Sequence, residues 1–283
     1  MDLSKIETIL YFTNQRAKLA GHILELSKYE KSIMLGNRKY KRKNEDENSN
    51  ELENYNKLTS EEIRIKSMKR AKHTIIDLVY ANAWQWKDRN GKAYTPIFIT
   101  FTFKENMTNL DLAHKEFTNF IKRLSYENWG LNVNVLKYLT VVEFQERGAI
   151  HYHVIFFNLP FMERIYDKMK SIWGHGFTWV ESVKTEKGIA KYLCKYLTKS
   201  IEDGKLLARK SYFASKDLKK PIIINIEEVV NVIKASISED VKGRSYSYES
   251  EFLRHTEVTE YNLKEYPDIL EYINTEIIEK YII

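Results

Sequence analysis

Apolar positions follow three different regimes along the chain. Over residues 3–33, Ile6, Ile9, Leu10, Phe12, Leu19, Ile23, Leu24 and Leu26 recur at irregular three- and four-residue steps, which predicts a helical N-terminal segment over 1–35. The pattern stops at GNRKYKRKNEDENSNELENYNKLTS, a basic block followed by an acidic, Asn-rich block with almost no large aliphatic residues; such a stretch cannot bury a core and reads as a charged linker over 36–59. The Thr-Ser-Glu-Glu run then predicts a helix starting at the Ser60 cap, ending near Trp84, and leading into the core over 60–95.

From residue 96 the pattern changes to short strand-like runs separated by helices. Strands are predicted at PIFITFTF (96–103), LKYLTVVEF (136–144), AIHYHVIFF (149–157) and FTWVESVK (177–184), and helices at 109–129, 161–174 and 188–200. Gln145-Glu146-Arg147-Gly148 separates two of the strands and predicts a hairpin turn. Strands joined both by a hairpin and by helices imply an α+β fold, an antiparallel sheet covered on one face by helices. After Pro221, an IIINI run, a helical stretch near 227–237 and a Tyr- and Glu-rich strand-like segment over 244–260 predict a small C-terminal extension, residues 222–283.

Composition narrows the class. The 283 residues are 43% apolar, with 19 Tyr, 13 Phe and 5 Trp against 10 Gly and 4 Pro, which suits a packed core and excludes collagen-like or low-complexity chains. The single cysteine rules out an intramolecular disulfide and multi-cysteine zinc sites. No apolar run approaches the roughly 18 residues of a bilayer span, and the N-terminus lacks the basic start and apolar stretch of a secretion signal. The expectation is a cytoplasmic protein with no membrane partner. Residues 61–222 hold 28 Lys and Arg against 17 Asp and Glu, and the remainder 17 against 22. A basic middle between acidic ends suits a polyanion such as nucleic acid, and equally a solvated lysine-rich surface. There is no G-x-x-x-x-G-K-[ST], so a nucleotide-driven motor is not expected in this chain.

Two constellations carry candidate chemistry. In His151-Tyr152-His153, side chains at i and i+2 share a strand face, so both imidazoles can face one ion while Tyr152 points away. Pairing across the 145–148 turn brings Glu143 close to His151. Two imidazoles and a carboxylate suit a catalytic divalent ion, although an H-x-H on a half-buried strand is also compatible with packing alone. On the helix at 188–200, Tyr192, Lys195, Tyr196 and Lys199 fall within about 100° of arc, opposite Ala190, Leu193 and Leu197. Phenols at i and i+4 can reach one phosphate site in turn, and lysines beside them favour the ionised form. An amphipathic helix with tyrosines at the core boundary gives the same spacing. Cys194 reads as a packed thiol.

These residues resemble, over roughly 96–221, the rolling-circle replication initiators of the HUH endonuclease superfamily, in their phage and plasmid form with two tyrosines. PIFITFTF resembles the first-motif strand, EFQERGAIHYHVIFF the metal motif, YLCKYLTK the nucleophile helix, and SYFASKDLKKP a downstream segment. The resemblance implies an HUH endonuclease domain with an RRM- or ferredoxin-like core over 96–221. It implies Mg²⁺ or Mn²⁺ held by Glu143, His151 and His153, and a tyrosine that nicks single-stranded or hairpin origin DNA. The products are a 5′-phosphotyrosine link and a free 3′-hydroxyl, and a second tyrosine can run the reverse transfer without ATP. Tyr192 is expected to attack first, with Lys195 in the family's lysine position, and Tyr196 to act in termination, with Lys199 beside it. A helicase would act in trans.

Gln145 and Arg147 either contact DNA or are solvated, and Trp84, Trp86, Tyr94, Tyr212 and Phe213 are either stacking residues or core. His175, in a turn after Trp173, is a weaker ligand candidate. A single-strand transposase of the same chemistry, a DNA-binding initiator or repressor without cleavage, and a water-using metal phosphohydrolase are the competing functions.

Overall fold

The computed structural model describes residues 11–35, 59–130, 135–202 and 212–281. Its elements are, in chain order, β1 (Tyr11–Ala20), β2 (Ile23–Leu35), α1 (Ser60–Asn82), β3 (Ile97–Thr102), α2 (Leu110–Trp129), β4 (Tyr138–Phe144), β5 (Ile150–Phe156), α3 (Ile165–Trp173), β6 (Thr178–Ser182), α4 (Glu186–Glu202), β7 (Tyr212–Ala214), β8 (Ile222–Ile224), α5 (Glu227–Ser236), β9 (Arg244–Ser250), β10 (Arg254–Asn262) and α6 (Pro267–Tyr272), which runs on through a π turn over Ile273–Ile278. Two five-stranded antiparallel sheets with helices make the chain α+β, as the patterning predicts.

The chain divides into two compact units, one spanning Leu58–Lys220 and the other drawn from both ends, Met1–Lys57 with Pro221–Ile283. In the Leu58–Lys220 unit the strand order is β6-β3-β5-β4-β7. One face carries Phe101, Val142, Tyr152 and Phe156, which pack on Phe117, Phe120 and Leu124 of α2 and on Met169 and Trp173 of α3. On the opposite face α4 lies on β4 and against α1. The helices therefore cover both faces, not one. Every residue of β5, and all of β4 after Tyr138, is buried, which an antiparallel pair reaches only when sandwiched.

Local chemistry sets the boundaries. Thr59, not Ser60, caps α1: its side chain accepts from the Glu62 amide while Glu62 accepts from the Thr59 amide, a capping box. Asn109 caps α2 and Gly130, at φ 64°, closes it. The predicted hairpin turn closes through the Gly148 amide donating to the Gln145 carbonyl at 2.7 Å, with Gly148 at φ 84°.

The expected N-terminal helix is overturned within the described residues. Residues 11–35 form a β-hairpin whose two-residue turn begins with left-handed Gly21, φ 62°, the glycine-first geometry that hairpins favour. Ala17 pairs with Leu26 and Leu19 with Leu24, so the apolar residues line one strand face with period two. β1 also pairs with β8 and β2 with β10, so the sheet order β8-β1-β2-β10-β9 joins residues the sequence pattern assigns to separate extensions. Val230 and Ile233 of α5 and Ile273 and Ile277 close that core. Residues 3–10 and the linker, except Thr59, lie outside the described residues.

Gly176, just before β6, packs against the β3 end. A Cβ there would lie 2.6 Å from the Lys104 amide nitrogen and also against the Thr102 and Phe103 backbone. Gly176→Ala is expected to lower stability by roughly 1–3 kcal/mol, seen as a lower urea midpoint at unchanged slope.

Candidate active site

The β4–β5 register sets Glu143 opposite His151 and Val141 opposite His153, and β3 sets Thr102 and Thr100 opposite the same two histidines. The carboxylate and both imidazoles thus share the sheet face that α4 covers. Tyr152 points the other way, and its hydroxyl lies 2.8 Å from Nδ1 of His114 on α2.

The donors are engaged with one another. His153 Nε2 lies 2.7 Å from Glu143 Oε2, and Lys199 Nζ donates to Glu143 Oε1 at 2.7 Å. Burial holds His153 below the usual histidine range, so the first contact is a neutral imidazole N–H donating to a carboxylate, not an ion pair. That tautomer leaves Nδ1 to accept from the Thr100 hydroxyl at 3.0 Å. Burial pushes the Glu143 carboxyl up, but hydrogen bonds from His153 and Lys199 outweigh it and bring the group down to about 2. His151 is 8% exposed and its Nε2 is buried without a partner. Burial lowers His151 to about 4, the opposing pull of Glu143 notwithstanding.

Two neutral imidazoles, an ionised carboxylate and an unpartnered buried ring nitrogen suit a divalent ion by donor chemistry. Among the described residues, however, no group of three or more His, Cys, Asp or Glu side chains is arranged to hold one. Glu143 is turned to His153 and Lys199. The two facts agree if an ion is admitted only when those bonds open; Thr100, whose hydroxyl can donate or accept, serves either tautomer of His153.

Helix α4 brings the tyrosines over this face. Ala190, Leu193 and Leu197 are buried beneath it. The Tyr196 ring stacks on His153 with centroids 3.5 Å apart, and Tyr192 meets Phe98 edge-on at 5.1 Å. The Tyr196 hydroxyl donates to the Tyr192 hydroxyl at 2.6 Å. Burial, and then the bond to Tyr192, push the Tyr196 phenol above its usual value. Lysine assistance to this phenol is therefore absent from this state, because Lys199 bonds the carboxylate instead. Lys195 and Lys199 are exposed, and with Glu143, Tyr196 and Thr198 they line an open cleft. The Cys194 thiol donates to the Lys72 carbonyl, as a packed thiol would.

Other candidates are placed elsewhere. His175 Nε2 lies 3.2 Å from Glu116 on α2, next to Phe103 and Trp173, on the far side of the sheet from the cluster. Gln145 and Arg147 sit in the 145–148 turn, where the Arg147 carbonyl accepts from Asn106 and its charge disfavours protonation of His151. Phe213 is a core residue against His114, Phe117 and Tyr152. Trp86 is flanked by Lys137 and Lys219 at 5.1 and 5.5 Å, and Trp84, Tyr94 and Tyr212 are half-buried. The large exposed rings near the site are instead Phe177 and Trp179. Their position two apart on an edge strand was the available signal.

No helix among the described residues is long and apolar enough to cross a membrane. No curated protein and no solved structure matches the chain. Residues 96–201, from β3 to the end of α4 and so including every residue of the Glu143–His151–His153 and Tyr192–Tyr196 clusters, match the family model of the ORF2-type replication-associated proteins, which supports a replication-initiator role.

Proposed function

We propose that the protein nicks and rejoins single-stranded origin DNA by tyrosine transesterification, as a rolling-circle initiator of HUH type. The observation that carries this reading is the pair of phenol oxygens 2.6 Å apart, with the Tyr196 ring stacked on a histidine of the Glu143–His151–His153 set. Tyr192 is the first nucleophile. Its oxygen receives the Tyr196 proton bond, which stabilises negative charge as Tyr192 gives up its own proton, whereas burial and that bond oppose ionisation of Tyr196. Tyr192 Oη attacks the phosphorus, the P–O3′ bond breaks, the 3′-oxygen takes up a proton, and the 5′-phosphate remains on the tyrosine. Because the phosphodiester energy is kept, Tyr196 can run the second transfer. Glu143, His151 and His153 would hold Mg²⁺ or Mn²⁺, which supplies charge stabilisation at the phosphate. Lys199, released from Glu143, and Lys195 would bind phosphate oxygens.

Single-stranded oligonucleotides spanning the replicon's origin, end-labelled and incubated with the protein and Mn²⁺, are expected to give denaturant-resistant protein–DNA adducts. Cleavage without an adduct would replace this reading with a water-using hydrolase, and binding without cleavage with a non-cleaving initiator or repressor.

A further inference from the structure

The strand β6 forms the outer edge of the sheet, with only β3 beside it. Trp179 pairs with Thr100, which in turn pairs with His153. Phe177, two residues earlier, meets Thr102 through its carbonyl, which accepts from the Thr102 amide at 2.9 Å, and Thr102 pairs with His151. Each aromatic residue therefore heads a row across the sheet that reaches one of the two histidines in two strand spacings, about 10 Å. Both rings are 64% exposed. The indole is oriented by its Nε1 donating to Glu181 Oε1 at 2.7 Å, and Lys170 Nζ stands 5.8 Å from the Phe177 ring centroid.

The geometry points to the β6 edge as a stacking track for the unpaired substrate strand: Phe177 and Trp179 stack on bases next to the scissile phosphate, and Lys170 meets the backbone beside Phe177. This rests on the nicking reading above. Rings that lack apolar cover, sit two apart and have a cation alongside suit single-stranded nucleic acid, where base stacking is sequence-tolerant and phosphates need counter-charge. The rows lead to the histidines and to the cleft lined by Lys195 and Lys199, so a strand lying on the track reaches the reaction centre.

The test is fluorescence anisotropy with a fluorescein-labelled oligothymidylate of about 16 nucleotides, without metal, on the full chain. Phe177→Ala and Trp179→Ala are each expected to weaken binding about 10-fold, and Trp179→Phe to restore most of it. Lys170→Gln is expected to reduce the slope of log affinity against log salt by about 0.7. Unchanged affinity in both alanine variants overturns the inference, as does unchanged affinity with lost self-association, which assigns the edge to a second copy of the chain. Adduct formation by wild type separates the two readings. Adducts with ring-insensitive binding remove only the track, and ring-sensitive binding without adducts removes only the nicking chemistry.

Discussion

Tyr192→Phe abolishes the covalent adduct of the first nick, lowering its rate by roughly 10³-fold or more, as loss of a nucleophile does elsewhere. Tyr196→Phe has a smaller, separable effect. It keeps the ring that stacks on His153 and deletes only the hydroxyl that donates to Tyr192, so first-nick adducts form about 10-fold more slowly, the cost of one hydrogen bond to a charged oxygen. The second transfer, rejoining of a cleaved end, disappears. Single-turnover adduct formation and strand joining on labelled oligonucleotides read the two effects independently. Adducts that persist in Tyr192→Phe and vanish in Tyr196→Phe would reverse the assignment.

Removing the buried carboxylate has the second large effect, on activity and on acid stability. Glu143→Ala is expected to reduce nicking by at least about 100-fold. It also leaves His153 Nε2 unpartnered beside the already unpartnered His151 Nε2, a cost of roughly 1–3 kcal/mol. The pH dependence follows from the shifted groups. His151 titrates near 4 in the folded protein against 6.5 ordinarily, so the unfolded chain binds more protons in that window, and stability is full above 6.5 and falls as pH drops towards 4. Glu143 is depressed to about 2, so its contribution is full above about 4.5 and is lost as pH falls towards 2. Urea midpoints measured across pH are expected to fall in two stages in wild type. Glu143→Ala retains the histidine stage and loses the carboxylate stage. A wild-type midpoint that stays level from pH 6.5 to 4.5 would contradict a buried, neutral His151.

Much of the β3–α4 stretch was legible because its signals are local. Period-two runs fix the strands, and the 145–148 turn dictates that Glu143 faces His151. Helical spacing puts Tyr192, Lys195, Tyr196 and Lys199 on one side of α4. What sequence could not show is how far side chains reach across elements. Lys199 was read beside a phenol, yet its long stem carries the ammonium to Glu143. The two-faced burial of β4 and β5 was hidden because AIHYHVIFF alternates polar and apolar residues while every one of its strand positions is covered. Residues 11–35 misread for a related reason. Leu19, Ile23, Leu24 and Leu26 approximate helical steps, and what makes them strands is partners more than 190 residues away, such as Ile223 opposite Lys18 and Tyr261 opposite Leu24.

That long-range pairing has a consequence for how the chain is made. The β1–β2 hairpin is synthesised first, but its flanking strands β8 and β10 emerge only after the whole Leu58–Lys220 unit. A lone hairpin is marginal in water, and its closure with partners that distant carries a large loop entropy. The order of assembly is therefore nested. The histidine and tyrosine clusters can acquire their structure during translation, while the five-stranded sheet of the terminal unit waits for release of the last residues. A ribosome stalled shortly after Lys220 would hold a formed tyrosine site and an unpaired N-terminal hairpin, with edges exposed to pairing between nascent chains.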